Sequence, residues 1–267
     1  MWQESGGAVT AMSKLGVAIV TGAMALVLGA CGSSMNVKQG AEELSISESD
    51  YLDALRHQDD GDYFESIESW KLVIDDEPEW ALAHFNLGVL YDRLNMMPEA
   101  TECYEIAVNI ADVKKLSPDY AVYNMHLGAA YLRSGLTTEA LSALKLAAQG
   151  DQFNPAGHYN LAACYMLMKN YDTAVLHADL AVDLTAQPSA QNETNLAPDV
   201  DRTRLMRYLM RQAECHIHRG EFEKAEIAIK RIRTQCKEEV PAGLWDLLNK
   251  QRKAAEAEKA AAEGSNG

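Results

Sequence analysis

The chain has 267 residues, of which 48% are hydrophobic and 24% charged, with 17 glycines and 7 prolines, so it is a folded protein rather than a disordered or collagen-like one. Its 39 acidic residues outnumber 24 lysines and arginines and leave a net charge of -15, which repels phosphate backbones and argues against a nucleic-acid partner. The five cysteines form no Cys-x-x-Cys pair, which speaks against both a zinc site and a dense disulfide scaffold.

Residues 15–28 (LGVAIVTGAMALVL) are apolar except for Thr21 and follow Lys14. At about 14 residues the stretch is shorter than the roughly 20 of a stable membrane span, and reads as the core of a signal peptide over residues 1–30. Residues 1–11 contain Glu4 and no base, which points to Met12 as the start. Leu28-Gly29-Ala30-Cys31 resembles a bacterial lipobox. That resemblance implies lipidation of Cys31 as the mature first residue. With Gly32 where an inner-membrane retention signal would have Asp, it also implies an outer-membrane destination with the domain facing the periplasm. Residues 31–46 are small and polar and read as a flexible tether, reaching about 50 Å when stretched and roughly 20 Å as a coil.

Five turns then recur: Gly61-Asp62-Tyr63, Asn95-Met96-Met97, Gly135-Leu136-Thr137, Lys169-Asn170-Tyr171 and Gly220-Glu221-Phe222. Before three of them stand Leu87-Gly88-x-x-Tyr91, Leu127-Gly128-x-x-Tyr131 and Leu161-Ala162-x-x-Tyr165; after them come Ala100/Ala107, Ala140/Ala147 and Ala174/Ala181. Small residues at these places let antiparallel helices approach closely. The pattern resembles the tetratricopeptide repeat (TPR) family, and implies an all-α, right-handed TPR solenoid of about five helix-turn-helix repeats plus a C-terminal capping helix. The repeats fall at residues 47–80, 81–114, 121–154, 155–188 and 206–239. The outer copies are degenerate, with Ser66 and Val73 at the alanine positions of the first and Gln212 and Ile232 as departures in the last. Six added residues near Pro118 are expected to lengthen the second helix of their repeat, and an insertion at about 184–201 reads as an exposed loop. In the final segment, residues 240–267, Leu244, Trp245, Leu247 and Leu248 supply the capping face, and the tail beyond should fray.

No phosphate-binding glycine loop, nucleophile elbow or metalloprotease motif occurs, so no catalytic residue, cofactor or metal site is assigned and the chain reads as a non-enzyme. His216-x-His218 is a poor metal pair, because residues two apart on a helix point about 200° apart. His84 and His158 occupy one repeat position and read as packing residues. Cys103, Cys164, Cys215 and Cys236 are expected to be mostly free and buried.

In TPR proteins particular first-helix positions line a concave groove. Here they would be Tyr51, Phe85, Met125, Tyr159 and Met210 at the fifth, Leu55 and Val89 at the ninth, Leu132 and Met166 at the twelfth, and Arg93 and Arg133 at the thirteenth. The Lys and Asn of the TPR carboxylate clamp are missing, and the apolar, Met-rich lining suits a hydrophobic helix or extended segment, with the two arginines flanking it. The whole layout resembles pilotin-type TPR lipoproteins of type IV pilus secretins and implies an envelope protein or peptide partner. TPR lipoproteins that serve peptidoglycan enzymes or outer-membrane protein assembly are the alternative.

Overall fold

A computed structural model describes residues 48–112, 118–186, 188–189, 192–196 and 201–264. The expected signal core, Cys31 and most of the tether lie outside the described residues. Among those described there are eleven α-helices, and no helix is long and apolar enough to cross a membrane. The chain divides after Ala130 into two compact units.

The first unit holds α1 (Glu48–Asp60), α2 (Tyr63–Asp76), α3 (Ala81–Arg93), α4 (Met97–Ala111) and most of α5 (Pro118–Arg133). Its core gathers Trp70, Val73, Leu90 and Ala54, with Tyr51 edge-on to Trp70 at 5.7 Å. Helices α1 and α2 cross at Ala54 and Ser66, where the fully buried Ser66 Oγ donates to the Ala54 carbonyl at 2.8 Å. The serine therefore does the work of the small residue expected there, and its hydroxyl is satisfied.

The second unit holds the last turn of α5, then α6 (Thr137–Gly150), α7 (Pro155–Leu167), α8 (Tyr171–Thr185), α9 (Arg202–Arg219), α10 (Phe222–Arg231) and α11 (Ala242–Gly264). Leu205, Leu209, Ile217, Ile229, Ile232 and Leu248 form its largest apolar cluster. Leu244 and Leu248 of α11 are buried in that cluster, with Trp245 and Leu247 packed at its edge, while residues 253–263 continue as exposed helix.

The turns explain why the helices stop where they do. Gly61, Asn95, Gly135, Lys169 and Gly220 adopt φ of +85°, +60°, +77°, +58° and +84°. At each, the next residue's N–H donates back to a carbonyl five residues earlier: Asp62 to His57, Met96 to Tyr91, Leu136 to Tyr131, Asn170 to Tyr165 and Glu221 to His216, all at 2.8–2.9 Å. This left-handed closure satisfies carbonyls that the helix end would leave bare. Helix starts are set by Asn154, Asn170 and Asp201, whose side chains accept from the N–H groups of Ala156, Thr173 and Arg204, with Pro155 beginning α7.

Helix α4 is described to Ala111, 15 residues in all, and most of the segment expected to lengthen it lies outside the described residues. The expected loop at 184–201 carries a short antiparallel ribbon, β1 (Pro188–Ser189) with β2 (Asn192–Leu196).

Candidate functional site

In the first unit the expected groove residues separate. Phe85 is only 2% exposed, held 4.7 Å from Tyr123, 5.7 Å from Tyr104 and 5.0 Å from His126. Met125 and Tyr51 are also buried. These three are therefore core residues rather than an open lining, because neighbouring helices cover the first-helix face at those points. Leu55 and Val89 are half-buried. Arg93 is exposed, but it turns to its own neighbourhood: Nη1 donates to the Tyr63 hydroxyl at 3.1 Å and the guanidinium lies 5.6 Å over that ring.

In the second unit Leu132 is half-buried against the cluster of Leu144 and Leu161, and Arg133 is exposed. Three others lie on the two helices that meet here. Helix α7 lies against α9; the half-buried Tyr159 of α7 and Met210 of α9 pack against one apolar cluster, and the half-buried Met166 of α7 packs against that of Ala162, Ala174 and Cys215. Tyr159 packs on Tyr208 with ring centroids 5.0 Å apart. Arg211 lies 5.3 Å over the Tyr159 ring, donates from Nη1 to Met166 Sδ at 3.9 Å, and pairs with Glu214 at 3.0 Å. Burial opposes its charge, but Glu214 and Tyr159 outweigh that, and Arg211 stays protonated. Leu167 and Met168 at the end of α7 are 61% and 50% exposed, which extends the apolar surface.

Arg211, Arg207 and Tyr208 belong to this face and were not singled out from the sequence. A signal for them was present. Arg204, Arg207 and Arg211 stand at i, i+3 and i+7, one side of a helix, and α9 carries five arginines against a single carboxylate, Glu214, in a chain of net charge -15.

The histidines have structural partners. His84 and His158 each donate from Nε2 to a carbonyl six residues back, Pro78 at 2.9 Å and Gln152 at 2.8 Å, tying the preceding turn to its helix. His216 is buried between Asp179 and Glu221, whereas His218 is exposed and stacks on Tyr171 at 5.3 Å, so the two face different surroundings. Cys103, Cys164, Cys215 and Cys236 are free and buried. Burial pushes Cys103 and Cys215 up to about 12, which leaves them as thiols and poor nucleophiles near neutrality.

No family model matches the chain, and no curated protein matches it in sequence. Solved structures do. MamA from Desulfovibrio magneticus RS-1 (residues 41 to the end) is similar with a TM-score of 0.55 at 13% identity, over 70% of this chain and 94% of that one. A Podosopora anserina protein of nearly identical TPR-like repeats superposes with a TM-score of 0.53 at 19% identity, covering 69% of this chain and 92% of its own. The fold is that of the TPR solenoids. YrrB, described as a TPR protein with an unusual peptide-binding site, is similar with a TM-score of 0.53 at 13% identity, over 75% of this chain and 92% of its own length. At these identities the likeness concerns the TPR fold, and function must come from the side chains of this chain.

Proposed function

We propose that the chain is a non-enzymatic interaction scaffold that binds an apolar peptide or helix of a protein partner. The observation that carries this reading is the α7–α9 face, where Arg211 bridges the half-buried Tyr159 and Met166, Met210 packs half-buried against the same apolar cluster as Tyr159, and Leu167 is exposed at the end of α7. Aromatic and methionine side chains of this kind are suited to partner docking, the aromatics as rigid anchors and the methionines as surfaces that repack. The description of YrrB as a peptide-binding TPR protein agrees with such a role.

The setting we propose is the bacterial envelope. Lipid on Cys31 would hold the domain at the outer membrane, facing the periplasm, with residues 32–46 as tether. Assembly of an envelope complex such as a pilus secretin is a task that suits this layout. Replacing Cys31 with Ala tests the anchor: intact-mass analysis and membrane fractionation should show loss of acylation and release from membranes. An unchanged mass and unchanged membrane association would refute it. Pull-down of the lipidated protein from its own envelope, with Tyr159→Ala as comparison, tests the scaffold role; a partner retained equally by both would remove the α7–α9 face from it.

A further inference from the structure

Charge is distributed unevenly over the molecule, and the unevenness coincides with the apolar face just described. Helix α9 opens with Arg202, Arg204 and Arg207 and continues to Arg211, with no acidic residue before Glu214. Arg202 and Arg207 are exposed and have no ion-pair partner among the described residues. Arg207 and Arg211 are one helical turn apart, and Met210 stands beside both of them, three residues from Arg207. Arg211 is already fixed in place by the Tyr159 ring, the Met166 sulfur and Glu214, which lowers the ordering cost of using it; its Nε has no acceptor among the described residues.

We propose that the α7–α9 face recognises an acidic peptide segment of a protein partner, one in which a carboxylate adjoins a bulky apolar side chain. This rests on the reading of that face as a peptide-docking surface. The apolar side chain lies against Tyr159, Met166 and Met210, and the carboxylate accepts charge-assisted hydrogen bonds from Arg207 and Arg211. Glu214 neutralises part of Arg211, so the exposed Arg207 supplies the uncompensated charge. The acidic remainder of the molecule does not prevent this. At physiological salt, exposed charges more than about 8 Å away are largely screened, so the local arginines dominate at contact.

The test is selection of a random 12-residue phage-displayed peptide library on the full-length protein, followed by titration of an enriched peptide and of its Asp/Glu→Asn/Gln counterpart. Enriched sequences should pair Asp or Glu with Phe, Leu, Ile or Trp. The amide counterpart should bind at least about tenfold more weakly, and Arg207→Glu should weaken the acidic peptide by a similar factor. Lys71→Glu, exposed on α2 of the other unit, should change nothing. Enriched peptides without acidic residues, or equal affinity for the acid and amide forms, would overturn the acid preference and leave the docking role standing. Failure of the library to enrich anything would overturn both. Concentration-dependent self-association that Arg207→Glu abolishes would overturn the proposal in favour of a second copy of the chain.

Discussion

His216 Nδ1 lies 2.7 Å from Glu221 Oε2 and, on its other side, the ring reaches Asp179 through Nε2 at 3.1 Å. With an ionised carboxylate on each nitrogen, both must carry a proton, so the buried imidazole is held as a cation. It joins α8, α9 and the start of α10. Gln212 also donates to Asp179, and Lys224 and Arg219 pair with Glu221, so the carboxylates have further donors. Burial alone would pull His216 down, but the hydrogen bonds to Asp179 and Glu221 outweigh it and raise its pKa.

The sign of the pH effect follows. A histidine raised above its unfolded value of about 6.5 contributes fully below that pH and loses its contribution as pH rises through the folded value. Wild type should therefore exceed His216→Gln in stability by about 1.5–3 kcal/mol near pH 6, and the gap should narrow on the alkaline side. Urea denaturation of both proteins across the range measures it. A gap that stays constant with pH would mean that the ring is neutral in the native protein.

His177 should behave in the opposite way. It lies against His158, with Nδ1 atoms 3.1 Å apart, and is stacked on Tyr165; burial, then the neighbouring His158, lower it to about 4. Its contribution is present above about 6.5 and is lost as pH falls towards 4. Proton NMR of the imidazole C–H signals should show His177 titrating near 4 and His216 above the ordinary range. Two midpoints close together near 6.5 would contradict both assignments.

Gly88 and Gly157 separate steric need from habit. A Cβ on Gly88 would stand 2.8 Å from the buried Tyr104 ring and 3.2 Å from Cys103 Cβ, whereas one on Gly157 would meet nothing within 4 Å. Gly88→Ala should cost about 1–3 kcal/mol by overpacking. Gly157→Ala should be neutral or stabilising by up to about 1 kcal/mol, the helix-propensity gain. Thermal melts of the two variants decide; equal shifts would contradict the packing at the α3–α4 crossing.

Lys169 holds φ +58°, a left-handed conformation that the corresponding Gly61, Gly135 and Gly220 adopt without a Cβ penalty. Lys169→Gly should relieve about 1 kcal/mol of strain, partly offset by the greater freedom of glycine in the unfolded chain, and so raise the melting temperature slightly. A fall of several degrees would show that the lysine side chain contributes more than its backbone conformation costs.

Phe85 and Tyr159 occupy the same repeat position but should fail differently. Phe85→Ala removes a side chain that is 2% exposed from an aromatic cluster and should cost about 3–5 kcal/mol. Tyr159→Ala opens a half-buried surface, and its main effect should be on the affinity for a selected peptide, by about 1 kcal/mol or more. Should Phe85→Ala unfold no more easily than Tyr159→Ala, the burial distinction drawn between the two repeats is wrong.

What was legible in the amino-acid sequence was local. Glycine or asparagine at four of the five turns, proline at helix starts, and small residues two turns apart are local signals, so the helical hairpins and their order could be read without knowing any contact. Position in the repeat did not determine exposure. Phe85 and Tyr159 stand at equivalent places, and only the covering of Phe85 by Tyr104, Tyr123 and His126 made one a core residue and the other part of a surface. The ribbon at β1 and β2 gave no periodic signal, being seven residues in all. The same limit applied to charge. Arg211 could be seen as one of a row, but its place over Tyr159 depends on α7 packing against α9, and His216 meets Asp179 across 37 residues of sequence. Such pairings are set by which helix faces are buried together, and that is a property of the tertiary structure.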